Sequence, residues 1–203
     1  MKGRIFKISK LRNNVDGKGI TSLIGLWGCP LHCRYCQNHI CHDEEYRVET
    51  SADEVANVVS RDRIYYQATD GGVVFGGGEP LLQPGFVREV SKLLKRDRIS
   101  TRIETSLYAP WDDINILIDC IDEWIVDIKT LDLGLYISYT EAALGQLCLE
   151  NLEKLISVIG REKVHVRIPV IPDYKDEFAA QREADYLRDK LGVNPEIFVY
   201  VVS

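Results

Sequence analysis

Six short apolar runs punctuate this chain, and amphipathic stretches separate them. The runs are ITSLIGLW (20–27), VVF (73–75), ISTRIE (99–104), EWIVDIK (123–129), KVHVRIPV (163–170) and IFVYVV (197–202). Short, β-branched runs of this kind read as buried strands. Between them, Ser51-Ala52-Asp53-Glu54 has the form of a capping box that opens a helix reaching residue 62. Val87, Val90, Leu93 and Leu94 share one helical face. So do Leu149, Leu152, Leu155, Ile156 and Ile159, and then Ala180, Ala184, Leu187 and Leu191. Strand and helix alternating in this way predict a parallel sheet. Eight such units would close a full barrel. Six predict an α/β fold with an open, partial (β/α)6 barrel. A further N-terminal strand, Arg4–Ile8, is expected to cover one edge.

The 203 residues are enough for one sizeable domain, and no linker or low-complexity tract divides them. A single domain over 1–203 is therefore expected. A net charge of −6 argues against nucleic acid or a membrane surface as the main partner. No run approaches the roughly 18 apolar residues of a membrane span. The N-terminal MKGRIFKISK lacks the apolar core of a signal peptide. A cytoplasmic location is expected. In that compartment six cysteines do not imply a disulfide framework. Cys120 and Cys148 are expected to be buried as small apolar residues.

In parallel β/α folds the active site lies at the carboxyl ends of the strands. The conspicuous polar features of this chain fall there. Cys29, Cys33 and Cys36 follow the first run with the spacing C-x3-C-x2-C. Three crowded thiolates suit a [4Fe–4S] cube with one iron left for a non-protein ligand. A Cys3His zinc site drawing on His32, His39 or His42 competes with this reading. Structural zinc usually takes two separated pairs, and no second pair follows here. Cys41 reads as a bystander. Gly76-Gly77-Gly78, followed by Glu79, ends the second run. It reads either as a tight strand-to-helix turn or as a place for close approach of a ligand, with Glu79 able to accept from an ammonium. Glu104, Thr105 and Ser106 end the third run. Asp127 and Lys129 share a face at the end of the fourth. His165 and Arg167 share a face of the fifth; the Arg suits a carboxylate or phosphate, and the His reads as a core residue.

These motifs carry a resemblance. GCPLHCRYCQN (28–38), with Tyr35 before the last Cys, and GGGEPLLQPGF (76–86) resemble a radical S-adenosylmethionine (SAM) enzyme. DGKGI (16–20), DIK (127–129) and RIPVIPDYKDE (167–177) resemble the glycyl-radical-enzyme activases of that superfamily, the pyruvate formate-lyase activating enzyme type. The resemblance implies that Cys29, Cys33 and Cys36 hold the cluster. It implies that Gly77, Gly78 and Glu79 hold the methionyl amine of SAM, and that Lys129 and Arg167 engage its carboxylate or ribose side. Tyr35 and Asn38 would lie near the adenosyl group. Glu104, Thr105 and Asp127 match positions that can hold a monovalent cation. The implied reaction is reductive cleavage of SAM to methionine and a 5′-deoxyadenosyl radical. That radical abstracts hydrogen from a glycine of a partner glycyl radical enzyme, with a flavodoxin or ferredoxin as electron donor.

The chain departs from the pattern in three places. Its third run ends Glu104-Thr105-Ser106-Leu107 where many relatives have Thr-Asn-Gly. Tyr139-Thr140-Glu141 lacks the Gly that commonly follows the Thr, and the chain ends on the sixth run, so either this is a minimal version or cover for the adenine comes from elsewhere. No cysteine-rich insert follows Cys41, so one cluster is expected. Two other functions fit the motifs: radical SAM chemistry on a small molecule, as in 7-carboxy-7-deazaguanine synthase, and a degenerate cluster-binding scaffold.

Overall fold

The computed structural model describes residues 1–200, so the last two positions of the run predicted over 197–202 lie outside the described residues. The chain divides into two compact units. The first comprises Met1–Cys29, Asn38–Glu104 and Pro110–Glu123; the second comprises Pro30–Gln37, Thr105–Ala109 and the chain from Trp124 onward.

The first unit contains β1 (Lys2–Asn13), β2 (Ile20–Leu26), β3 (Val48–Ser51), α1 (Ala52–Ser60), α2 (Arg63–Thr69), β4 (Gly72–Gly77), α3 (Pro84–Arg96), β5 (Thr101–Thr105) and α4 (Trp111–Asn115). Its strand order is β3-β1-β2-β4-β5. β1 runs antiparallel to β2 and β3, whereas β2, β4 and β5 are parallel. Val73, Val74 and Phe75 of β4 are fully buried, as a run apolar on both faces requires. α1 opens on the predicted capping box: Ser51 accepts from the Glu54 backbone N–H, and the Glu54 carboxylate accepts from that of Ser51.

The second unit contains β6 (Glu123–Asp127), α5 (Leu133–Thr140), α6 (Gly145–Ile159), β7 (Val164–Val170), α7 (Glu177–Leu191) and β8 (Glu196–Val199). β6, β7 and β8 are parallel and adjacent in that order. Ala180 and Ala184 bury one face of α7, and Leu187 extends it. The fold is thus α/β on an open, mostly parallel sheet, and each of the six predicted strands is present.

Three expectations change. The N-terminal strand has 12 residues and is paired on both sides. β3 lacks a buried apolar run: in VETS the valine is exposed, the other three residues are polar and none is fully buried, and its backbone pairs with β1. The buried face of α6 is Cys148, Asn151, Leu152 and Leu155, so Leu149, Ile156 and Ile159 flank it. Among the described residues no helix is long and apolar enough to cross a membrane.

Candidate functional site

In the first unit the parallel direction of β2, β4 and β5 puts their carboxyl ends on one edge. There β2 leads to Cys29, β4 ends in the glycine run and Glu104 lies near the end of β5. The register sets Gly76 opposite Gly25 and Gly77 opposite Leu26. Pairing continues past the strands: Gly78 N–H donates to Leu26 C=O at 3.1 Å, and Glu79 N–H to Gly28 C=O at 2.8 Å. Gly77 has a φ of 90°, and a Cβ there would lie 2.7 Å from the Phe6 ring. A Cβ on Gly78 would strike the Leu26 and Gly28 carbonyls. At these two positions the lack of a side chain lets β4 close on the segment before Cys29, so protein backbone already requires glycine there. The Glu79 side chain is buried and accepts from Leu81 N–H at 3.2 Å, which caps the short turn Pro80–Leu82. Asn38 accepts from Lys7 Nζ at 3.3 Å. Cys29 is half-buried, whereas Cys41 is fully buried and its carbonyl accepts from Gly28 N–H.

In the second unit Cys33 and Cys36 lie on one turn, closed by Cys36 N–H to Cys33 C=O at 3.1 Å. The end of α5 holds that loop. His32 N–H donates to Thr140 C=O at 2.9 Å, and Arg34 N–H to Tyr139 C=O at 3.1 Å. Tyr35 donates its hydroxyl to Asp173, and its ring lies against Tyr139 and Tyr174. Register sets Asp127 beside Arg167, whose Nε donates to Oδ1 at 2.7 Å. Two residues on, Lys129 Nζ donates to Asp127 Oδ2 at 3.1 Å and to the Tyr200 hydroxyl at 2.9 Å. Burial pushes the Asp127 carboxyl up, but Lys129 and Arg167 outweigh it and hold the group below the usual carboxylate range. Burial likewise disfavours the Lys129 ammonium, yet Asp127 and Tyr200 raise it well above an ordinary lysine. Burial raises the Cys33 thiol, and Lys129 pulls it back. The cysteine turn and the strand-end ion cluster are therefore close enough to feel each other's charge. Thr105 is buried, and its Oγ1 accepts from Leu107 N–H.

His165 is exposed, not the core histidine expected, because its strand face is open at that level. Three site features escaped the sequence. Tyr200 was read only as part of an apolar run, yet it meets Lys129 and lies against Tyr139. Asn151, in a helix read as apolar, donates to the carbonyls of Leu107 and Ala109 at 2.9 Å each and holds the segment after β5, where Leu107 has a φ of 58°. Lys175 sits in RIPVIPDYKDE with no role assigned, and it is buried.

All six cysteines are thiols, and the three of the motif are half-buried while the other three are buried. Among the described residues no three His, Cys, Asp or Glu side chains are gathered as a metal-holding group. The donor chemistry nevertheless fits an iron–sulfur cluster: three accessible thiols on one eight-residue stretch, Cys29–Cys36.

The radical SAM superfamily model matches residues 26–180. The isethionate sulfite-lyase activating enzyme of Nitratidesulfovibrio vulgaris is 27% identical over 98% of this chain and 84% of its own length. The pyruvate formate-lyase-activating enzyme of Clostridium pasteurianum is 33% identical over 86% of this chain and 71% of its own. Among solved structures, a domain of the pyruvate-formate lyase-activating enzyme from Bacteroides vulgatus superposes with a TM-score of 0.54 at 27% identity, covering 63% of this chain and 78% of that one. The chain belongs to the radical SAM superfamily, and within it to the activating enzymes of glycyl radical enzymes. The superfamily implies a [4Fe–4S] cluster and SAM as cofactors.

Proposed function

We propose that Cys29, Cys33 and Cys36 are the cluster ligands of a single radical SAM domain over 1–203, and that the strand ends beside them bind SAM to activate a glycyl radical enzyme. The observation that carries this reading is geometric: the turn that bears Cys33 and Cys36 and the Asp127–Lys129–Arg167 ion cluster, which suits an amino-acid ligand, belong to one compact unit. When bound, the cluster and SAM supply the one-electron chemistry that makes a radical able to take hydrogen from a glycine.

The chain's own residues bind, orient and shield. Cys29, Cys33 and Cys36 would hold the cluster and leave one iron open to a non-protein ligand. Glu79, with Gly77 and Gly78, would accept from the N–H groups of the amine; burial of Glu79 strengthens such a bond. Lys129 and Arg167 would take the carboxylate or ribose side, their ammonium and guanidinium being fixed by Asp127. Tyr35 and Asn38 would flank the adenosyl group, and the rings of Tyr139, Tyr174 and Tyr200 would keep water from it. Glu104, Thr105 and Asp127 supply oxygen donors suited to a monovalent cation. The protein substrate is a glycyl radical enzyme, the electron donor a flavodoxin or ferredoxin, and the location cytoplasmic.

The test is anaerobic incubation of the reduced, cluster-loaded protein with SAM and a glycyl radical enzyme. 5′-Deoxyadenosine and a glycyl-radical EPR signal are expected. Cys33→Ala should abolish both. Wild-type SAM cleavage by that variant would remove Cys33 from the ligand set. 5′-Deoxyadenosine without any protein radical would point to a small-molecule substrate.

A further inference from the structure

β6 ends at Asp127, and the last ladder-like bond beyond it is Ile128 N–H to Arg167 C=O at 3.0 Å. At the next residue a side chain takes over. Lys175 Nζ donates to the Lys129 carbonyl at 2.7 Å and to Glu183 Oε2 on α7 at 2.7 Å. Glu183 uses its other oxygen to accept from Thr130 Oγ1 at 2.5 Å and from Leu131 N–H at 2.8 Å. Thr130 Oγ1 in turn accepts from Asp132 N–H at 3.2 Å. One ammonium and one carboxylate thus hold the backbone from Lys129 to Asp132, beyond the end of β6. The Lys175 side chain is only 1% exposed. Lysine is almost never buried to that degree unless it is paired, and an isolated buried charge is costly. A methionine would fill nearly the same buried volume at no such cost, so the clamp is a specific arrangement.

We propose that Lys175 and Glu183 are positioning residues that set the peptide of Lys129, and so aim its ammonium at the carboxylate of bound SAM. This rests on Lys129 being a SAM contact. The Lys129 side chain crosses from its Cα to Asp127 and Tyr200, and a swing of its peptide plane moves the start of that path. The Lys175 ammonium donates to the Lys129 carbonyl and to Glu183, so its route to the site runs through the Lys129 peptide.

The experiment is SAM titration by calorimetry into the anaerobically reconstituted full chain, with iron content and thermal unfolding as controls. Lys175→Met should weaken SAM binding about tenfold, the scale of one charge-assisted hydrogen bond, with wild-type iron content. Added to Lys129→Met it should cost nothing more, because its effect passes through Lys129. If Lys175→Met does not fold, the Lys175→Met, Glu183→Gln pair serves: it removes both charges and keeps an acceptor for Thr130 and Leu131. Wild-type affinity in the Lys175 variants beside weakened binding in Lys129→Met overturns the clamp alone. A full additive loss overturns it too, since a merely structural role would add. Unchanged binding in Lys129→Met overturns the reading of Lys129, and the clamp with it.

Discussion

Arg102 shows how much one side chain can hold in this molecule. It is 2% exposed on β5, and its guanidinium donates to Glu123 at 2.9 Å, the Lys18 carbonyl at 2.8 Å and the Asp70 carbonyl at 3.0 Å. It thereby ties the DGKGI turn, where Gly17 has a φ of 88°, to the loop before β4. Asp16 in that turn is buried too, and takes both Arg12 and the Thr21 hydroxyl. Removing the guanidinium leaves a carboxylate and two carbonyls without their donor. Arg102→Met should therefore lower unfolding free energy by about 3 kcal/mol or more in a urea titration. A loss under about 1 kcal/mol would show that water replaces the guanidinium at these groups. The sequence displayed an arginine inside ISTRIE, but nothing local says that its partners lie 84 and 32 residues away.

Among the elements, α1 is the one most fully written in local sequence. Ser51 and Glu54 cap each other's backbone, and Val55 and Val59 turn one face inward. Ser51→Ala should destabilise the protein by about 1 kcal/mol. The box also has a pH signature. The Ser51 backbone N–H, then the Ser51 and Thr50 hydroxyls, hold the Glu54 carboxyl below its ordinary value. A carboxyl lowered in the folded state contributes stability above its unfolded pKa and loses it as pH falls through the folded one. Stability measured from pH 7 downward should thus fall through the acid range, and Glu54→Gln should flatten part of that fall. Equal acid slopes in the two proteins would remove Glu54 as a source. β3 is the opposite case: an exposed valine and three polar residues become a strand because β1 offers backbone groups to pair beside them. The α6 face differs for a related reason. Asn151 is buried because the carbonyls of Leu107 and Ala109 need its amide, a need set outside the helix.

At the scale of the whole chain, the cysteines suit one cluster: beyond Cys29, Cys33 and Cys36, the other three, Cys41, Cys120 and Cys148, are buried and scattered along the sequence. Reconstitution should give about four irons per chain, as a single cube requires. A value near eight or more would reveal a second cluster and other ligands. Alternation of β-branched runs with helical faces was enough to foretell six strands, because burial on both faces leaves a plain mark on composition. The three thiols, the glycine run with Glu79, and Asp127 with Lys129 could be nominated as candidates for another reason: donor chemistry depends on residue type and short spacing, which the sequence states directly. The tertiary structure alone decided which distant groups meet. It set Arg167 beside Asp127 through strand register, brought Tyr200 to Lys129 across 71 residues, and placed Lys175 under the Lys129 carbonyl. It also showed that neighbouring protein atoms leave no room for a Cβ at 77 and 78. Local sequence encodes periodicity and donor chemistry. Register, burial of a charge and the partner of a buried polar group depend on which segments pack together, and that is settled only when the chain is folded.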